Sequence, residues 1–143
     1  MSIKEMIDVE GTDSTCGIAA RCFKPAAEDA LVVRLLKEAG ALPFAKTNVP
    51  QSLISFETVN NIFGRTLSPW DRARTPGGSS GGESALLASR GAPLALGTDI
   101  GGSVRIPSAF AGLYGIKPTA DRVSNKGLGV PRRNNKSGQT IVR

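Results

Sequence analysis

Residues 75–107 read TPGGSSGGESALLASRGAPLALGTDIGGSVRIP, and this stretch decides the fold class. A Gly/Ser loop (residues 77–82) runs straight into a helix-forming segment, ESALLAS. An apolar run from Pro93 to Thr98 follows and predicts a buried strand, and a second glycine turn comes after it. Loop, helix, buried strand and glycine turn thus follow one another, and the segment upstream completes the α/β reading. The same stretch holds two Gly-flanked serines, Ser79 and Ser103, in a chain with no histidine. A serine hydroxyl is a weak nucleophile at neutral pH and needs a neighbour to take its proton. Without histidine, lysine is the base to look for.

Upstream, PAAEDALVVRLLKEAG predicts a helix opening at Pro25 and closing at Gly40, with Leu31, Leu35 and Ala39 on one face and Val32 and Leu36 beside it. A short strand from about Leu42 to Ala45 would follow, so residues 25–47 return from a helix into a sheet. Residues 51–76 read as loop, with SPWD and TPGG as turn signals. Beyond IKPT at residues 116–119 the pattern dissolves. Both ends look cut, because a buried sheet needs more strands than are visible, and the expectation is a piece of a larger fold.

At 143 residues, 40% hydrophobic and 21% charged, the chain has the composition of one globular domain, and such a domain buries roughly 68% of its unfolded surface. No apolar stretch is long enough to cross a bilayer, and MSIKEMIDVEG lacks the apolar core of a secretory signal. Cys16 and Cys22 fit no metal-ligand pattern and read as free thiols of a reducing, intracellular compartment. The net charge of +6 comes from the tail: residues 1–116 hold eleven basic and eleven acidic side chains, whereas residues 117–143 hold seven basic ones against Asp121 alone. No aromatic in that tail can stack on a base, so a solvated basic tail is expected rather than a nucleic-acid site.

Three motifs compete for the chemistry. By composition alone GGSSGG is a flexible linker, but a linker separates domains and this loop opens a helix, where converging amides favour anions. Gly77, Ser79 and Gly81 satisfy G-x-S-x-G, yet that motif relies on histidine. GALPFAKT approaches a phosphate-binding loop, but Ala45 stands where glycine is needed before Lys46, and Pro43 and Phe44 make it an apolar strand. In GTDIGGSVRIP, the amides from Ile100 to Ser103 could converge on an oxyanion beside a Ser103 nucleophile. The plain structural alternative is a glycine turn between strand and helix, with Asp99 and Arg105 as a local ion pair.

GGSSGGESALLASRGAPLALGTDIGGSVRIPSAFAGLYGIKPT resembles the defining segment of the amidase signature family, serine hydrolases that cleave carboxamides with a Ser-Ser-Lys triad. SIKEMIDVEGTDSTCGI, ALPFAKTNVPQSLISFE and NNIFGRTLSPWD extend the resemblance over residues 2–125, and TDIGGS and NVPQS are most like the fatty-acid amide hydrolase and fungal acetamidase branch. The resemblance implies an α/β fold with a mixed sheet flanked by helices, truncated at both ends here, with residues 1–125 as a partial domain and 126–143 as its flexible basic continuation. It makes Ser103 the acyl nucleophile, Ser79 the bridging serine behind a cis Gly78–Ser79 bond, and Lys4 the base. Ile100, Gly101, Gly102 and Ser103 would supply the oxyanion-hole amides. Lys46 is the rival lysine, but the family's KTN segment is a landmark separate from its catalytic lysine.

A lysine works as a base at neutral pH only if burial lowers its pKa by several units. With little chain before Lys4 to fix it, the expectation for this chain is that Lys4 frays and keeps a free lysine's pKa. The implied activity is hydrolysis of a small-molecule amide, without cofactor or metal, to a carboxylic acid and an amine. Fatty amides would favour membrane association through segments outside this chain. The alternatives are a non-catalytic remnant and an amidotransferase A-type subunit, which would need a partner subunit and tRNA.

Overall fold

The computed structural model describes residues 1–129. Three short parallel strands form the central sheet: β1 (Ser2–Lys4), β2 (Ala45–Thr47) and β5 (Ala95–Leu96), in the order β2-β1-β5. A separate antiparallel hairpin joins β3 (Val59–Asn60) to β4 (Gly64–Arg65) within the segment expected to be loop. Three helices complete the chain: α1 (Leu31–Glu38), α2 (Gly81–Ala88) and α3 (Arg105–Ala111). Over the described strands the main sheet, expected as mixed, is all parallel, and antiparallel pairing occurs in the hairpin and in an isolated bridge between Ile7 and Leu128.

The expected fraying of Lys4 is corrected by this topology. β1 is the central strand, paired on both sides, with Lys4 opposite Thr47 on β2 and Ser2 opposite Ala95 on β5. A central strand has every ladder group satisfied and cannot detach without breaking two ladders at once. The amino group of Met1 is also tied down, donating to the Leu42 carbonyl at 2.8 Å.

Alternation along β1 divides the sheet into two unlike faces. Ile3 and Leu96 point into an apolar cluster with Met1, Met6, Ile7, Cys16, Ala30 and Val33. Ser2, Lys4 and Thr47 point the other way, where α2 packs, and all three are buried. A second apolar cluster of Leu87, Ala92, Ala95 and Val104 joins α2 to the turn before α3. Buried polar groups must find hydrogen-bond partners, so the polar face needs a built network where the apolar face needs only packing.

Helix α1 begins at Leu31 rather than Pro25. Residues 25–30 are instead captured by the segment after β1: Ala26 donates to Thr12 and accepts from Gly11, and Ala30 donates to Asp8. These tertiary bonds outweigh the helical propensity of AAEDA. Glycine ends the helix as expected, with Gly40 at φ +90° and Ala41 donating back to Leu36 in the manner of a Schellman cap. The buried face is Val33 with Val32 and Leu36, while Leu35 and Ala39 are exposed. Strand β2 lies three residues later than expected because Pro43 has no amide to give a ladder, and Leu42 and Phe44 are exposed.

Residues 126–129, placed by the sequence in the flexible tail, pack on the body. Asp8 donates to the Gly127 carbonyl, Leu31 to that of Lys126, and Gly129 to that of Met6. The remainder of that tail, residues 130–143, lies outside the described residues.

Candidate active site

The polar face of the sheet brings together two of the three residues expected to carry the chemistry. Lys4 has no solvent-exposed surface. Its Nζ donates to Ser79 Oγ at 2.7 Å, to Thr98 Oγ1 at 2.7 Å and to the Thr98 carbonyl at 3.2 Å. No carboxylate contacts it directly among the described residues. Burial therefore lowers its pKa from 10.5 to about 7, although the nearby Glu83 and Asp99 carboxylates and the Cys16 thiol pull it back up.

Ser79 stands in the loop that enters α2, behind a Gly78–Ser79 peptide bond that is cis, as the resemblance implied. The loop can lie this close to the sheet because α2 begins with glycines. A Cβ on Gly82 would overlap the backbone of Asn48, just past β2, and the Gly82 amide donates to the Asn48 carbonyl at 3.2 Å. The linker reading of GGSSGG is thereby replaced by a packed, hydrogen-bonded helix entry. Glu83, in the first turn of α2, accepts from Ser2 Oγ and, at 2.7 Å, from Thr47 Oγ1. Burial pushes its carboxyl up to about 7, against the opposing pull of these two hydroxyls and the Lys4 charge.

Ser103 lies in the turn between β5 and α3. Its carbonyl accepts from the Ser80 amide at 3.0 Å, which clamps its turn to the Ser79 loop. Its hydroxyl makes no hydrogen bond among the described residues, so Ser103 is held by its backbone and is not yet linked to Ser79 through its side chain. Asp99 organises the turn, accepting the amide of Gly102 at 2.8 Å and those of Val104 and Arg105 at 3.1 Å. The Arg105 guanidinium grips the same carboxylate at 2.9 and 2.8 Å. Burial alone would raise the Asp99 pKa, but Arg105 and the three amides outweigh it and hold the carboxyl well below the usual range. The ion pair and the glycine turn are thus both present, and Gly102 at φ +122° adopts a backbone that L side chains rarely take.

Of the four amides expected to form an oxyanion hole, that of Gly102 is already bonded to Asp99. Those of Ile100, Gly101 and Ser103 donate to no acceptor among the described residues. Lys46 is on the other side of the sheet, paired with Ile3 rather than Lys4, and its Nζ donates to the Asp13 carbonyl at 2.5 Å and to Ser14 Oγ at 2.9 Å. Sequence reasoning missed Thr98 and Glu83 as neighbours of Lys4. A carboxylate directly after GGSSGG and a threonine ending an apolar run were the available signals.

A profile of the Amidase family matches residues 1–140. Fatty-acid amide hydrolase 1 of Sus scrofa is 54% identical over 128 residues, covering 90% of this chain and 22% of that protein. Putative amidase kk1C of Curvularia clavata is 48% identical over 143 residues, covering the whole of this chain and 26% of that protein. A solved fatty acid amide hydrolase superposes with a TM-score of 0.86 at 32% identity, over 89% of this chain and 22% of that one. The chain spans about a quarter of the length of the curated relatives it matches. With a buried lysine on a serine of its glycine loop and a family profile over nearly its whole length, the chain belongs to the amidase family.

Proposed function

We propose that this chain carries the Ser-Ser-Lys machinery of a carboxamide hydrolase, with Ser103 as nucleophile, Ser79 as bridge and Lys4 as base. The observation that carries the proposal is the 2.7 Å contact between Ser79 Oγ and a lysine buried with no carboxylate partner among the described residues. Neutral Lys4 takes the Ser79 proton as Ser79 takes that of Ser103, and the Ser103 oxygen adds to the amide carbonyl carbon. The amides of Ile100, Gly101 and Ser103 are the donors available to the resulting oxyanion. As the C–N bond breaks, the proton returns through Ser79 to the leaving nitrogen, giving a free amine and an acyl ester on Ser103. Water, giving its proton along the same path, releases the carboxylic acid and restores Ser103.

Similarity to proteins named fatty-acid amide hydrolase favours a long acyl chain. Ile100, 70% exposed in the same turn as Ser103, offers apolar surface beside the nucleophile. No helix among the described residues is long and apolar enough to cross a membrane.

A fluorophosphonate should label Ser103, mapped by peptide mass spectrometry, and Lys4→Ala should slow that labelling by about 10²–10⁴-fold, the range for loss of a general base. Labelling at Ser79 or Ser80 with Ser103 unmodified would overturn the assignment.

A further inference from the structure

Among the described residues three hydrogen bonds surround the Lys4 amine, and one of them leads to a serine. A neutral amine has two N–H bonds and one lone pair, so it can deprotonate Ser79 only if the lone pair occupies the third direction. The Thr98 carbonyl, with no proton to give, claims one N–H at 3.2 Å. Thr98 Oγ1, at 2.7 Å, could either accept the second N–H or donate its own proton to the lone pair. The second choice would turn the lone pair onto Thr98 and leave Ser79 facing an N–H.

Met6 decides between them. Its Sδ lies 3.1 Å from Thr98 Oγ1, and a thioether can only accept. The turn that closes β1, with Ile7 donating to the Lys4 carbonyl at 2.9 Å, places Met6 there, and Met6 is buried at 4% exposure. With the hydroxyl proton on Met6, Thr98 Oγ1 is an acceptor for Lys4.

We propose that Met6 is a positioning residue: by taking the Thr98 hydroxyl proton it commits both N–H bonds of neutral Lys4 to Thr98 and aims the lysine lone pair at Ser79. The proposal rests on Lys4 being the base. The proton that Lys4 gains and loses then occupies a single direction, the one facing the serine relay. The charged or titratable groups around this amine are Glu83 from α2, Asp99 from the turn after β5, and the Cys16 thiol from the segment beneath β1.

The test uses the full chain. Met6→Leu removes the acceptor at nearly constant volume. Norleucine replaces a thioether with a methylene at nearly unchanged shape, and this chain has only two methionines, Met1 and Met6, for it to replace. Above the pH at which Lys4 becomes neutral, both changes should slow fluorophosphonate labelling of Ser103 by about 5–10-fold, the population shift that one hydrogen bond can produce. The Lys4 Nζ titration, followed by NMR, should move to lower pH, because neutral Lys4 gains a donor in Thr98. In a Thr98→Val background, with no hydroxyl left to compete, Met6→Leu should add nothing, whereas Thr98→Ser should keep the full sensitivity. Wild-type labelling and titration in both Met6 replacements would overturn the inference. So would equal slowing with and without the Thr98 hydroxyl, which would mark Met6 as packing alone. In either case a strong Lys4→Ala defect would leave the triad standing, whereas normal labelling in Lys4→Ala would remove the base assignment and this proposal with it.

Discussion

Two lysines on adjacent strands differ in one respect, the face of the sheet they occupy. Lys4 points to the polar face under α2, and Lys46, one strand over and paired with Ile3, points to the opposite face. If Lys4 is the base, it acts only when neutral, so labelling of Ser103 should rise as pH passes about 7 and level off above it, a profile that Lys4→Ala should abolish. Lys46→Ala should leave that profile in place. Its cost should fall on stability, about 1–3 kcal/mol for the two bonds to Asp13 and Ser14, read from the urea midpoint. A Lys46→Ala variant that loses the pH step while keeping its fold would reverse the two roles.

At the level of elements, the site exists because a helix entry and a strand turn are stitched together. Ser80 bridges them twice, its amide to the Ser103 carbonyl at 3.0 Å and its hydroxyl to the Thr98 carbonyl at 3.4 Å. The stitch requires α2 to approach β2 at Gly82, where no side chain fits against Asn48. Gly82→Ala should force the helix start away from the sheet and cost about 1–3 kcal/mol or more by overpacking. The Lys4–Ser79 contact should loosen with it, so thermal midpoint and labelling rate should fall together. A Gly82→Ala variant as stable and as reactive as the wild type would show that the close approach is not needed.

Over the whole molecule, the buried pair Lys4 and Glu83 shapes the pH dependence of stability in opposite directions. The Lys4 pKa is lowered on folding, so between about 7 and 10.5 the unfolded chain binds more protons than the folded one and stability rises with pH. The Glu83 pKa is raised, from 4.5 to about 7, so across that window the folded chain binds more protons and stability falls with pH. The two contributions should meet in a local minimum near neutrality. Urea unfolding of wild type and Lys4→Met across pH 6–10 should show the alkaline rise in the first and its loss in the second; an unchanged rise in Lys4→Met would assign it to other groups.

How much of this was legible in the sequence depends on the range of the forces involved. Glycine punctuation, apolar runs and the absence of histidine are local facts. They sufficed for the α/β class, the helix after GGSSGG and the strand before GTDIGG, and they left lysine as the candidate base. The first turn of α1 was misplaced because its backbone bonds go to residues 8–12, a pairing that no local pattern encodes. The fate of Lys4 was misjudged for the same reason. Near a chain terminus a lysine reads as solvated, and only the insertion of Ser2–Lys4 between β2 and β5 buries it, strips its water and lowers its pKa. The sequence by itself determined which candidate groups are present, two Gly-flanked serines and lysines without histidine. The tertiary structure alone decided which lysine is desolvated, which serine it touches and which neighbours, Thr98 and beyond it Met6, surround its amine, because desolvation and hydrogen bonding depend on neighbours up to 94 residues apart along the chain.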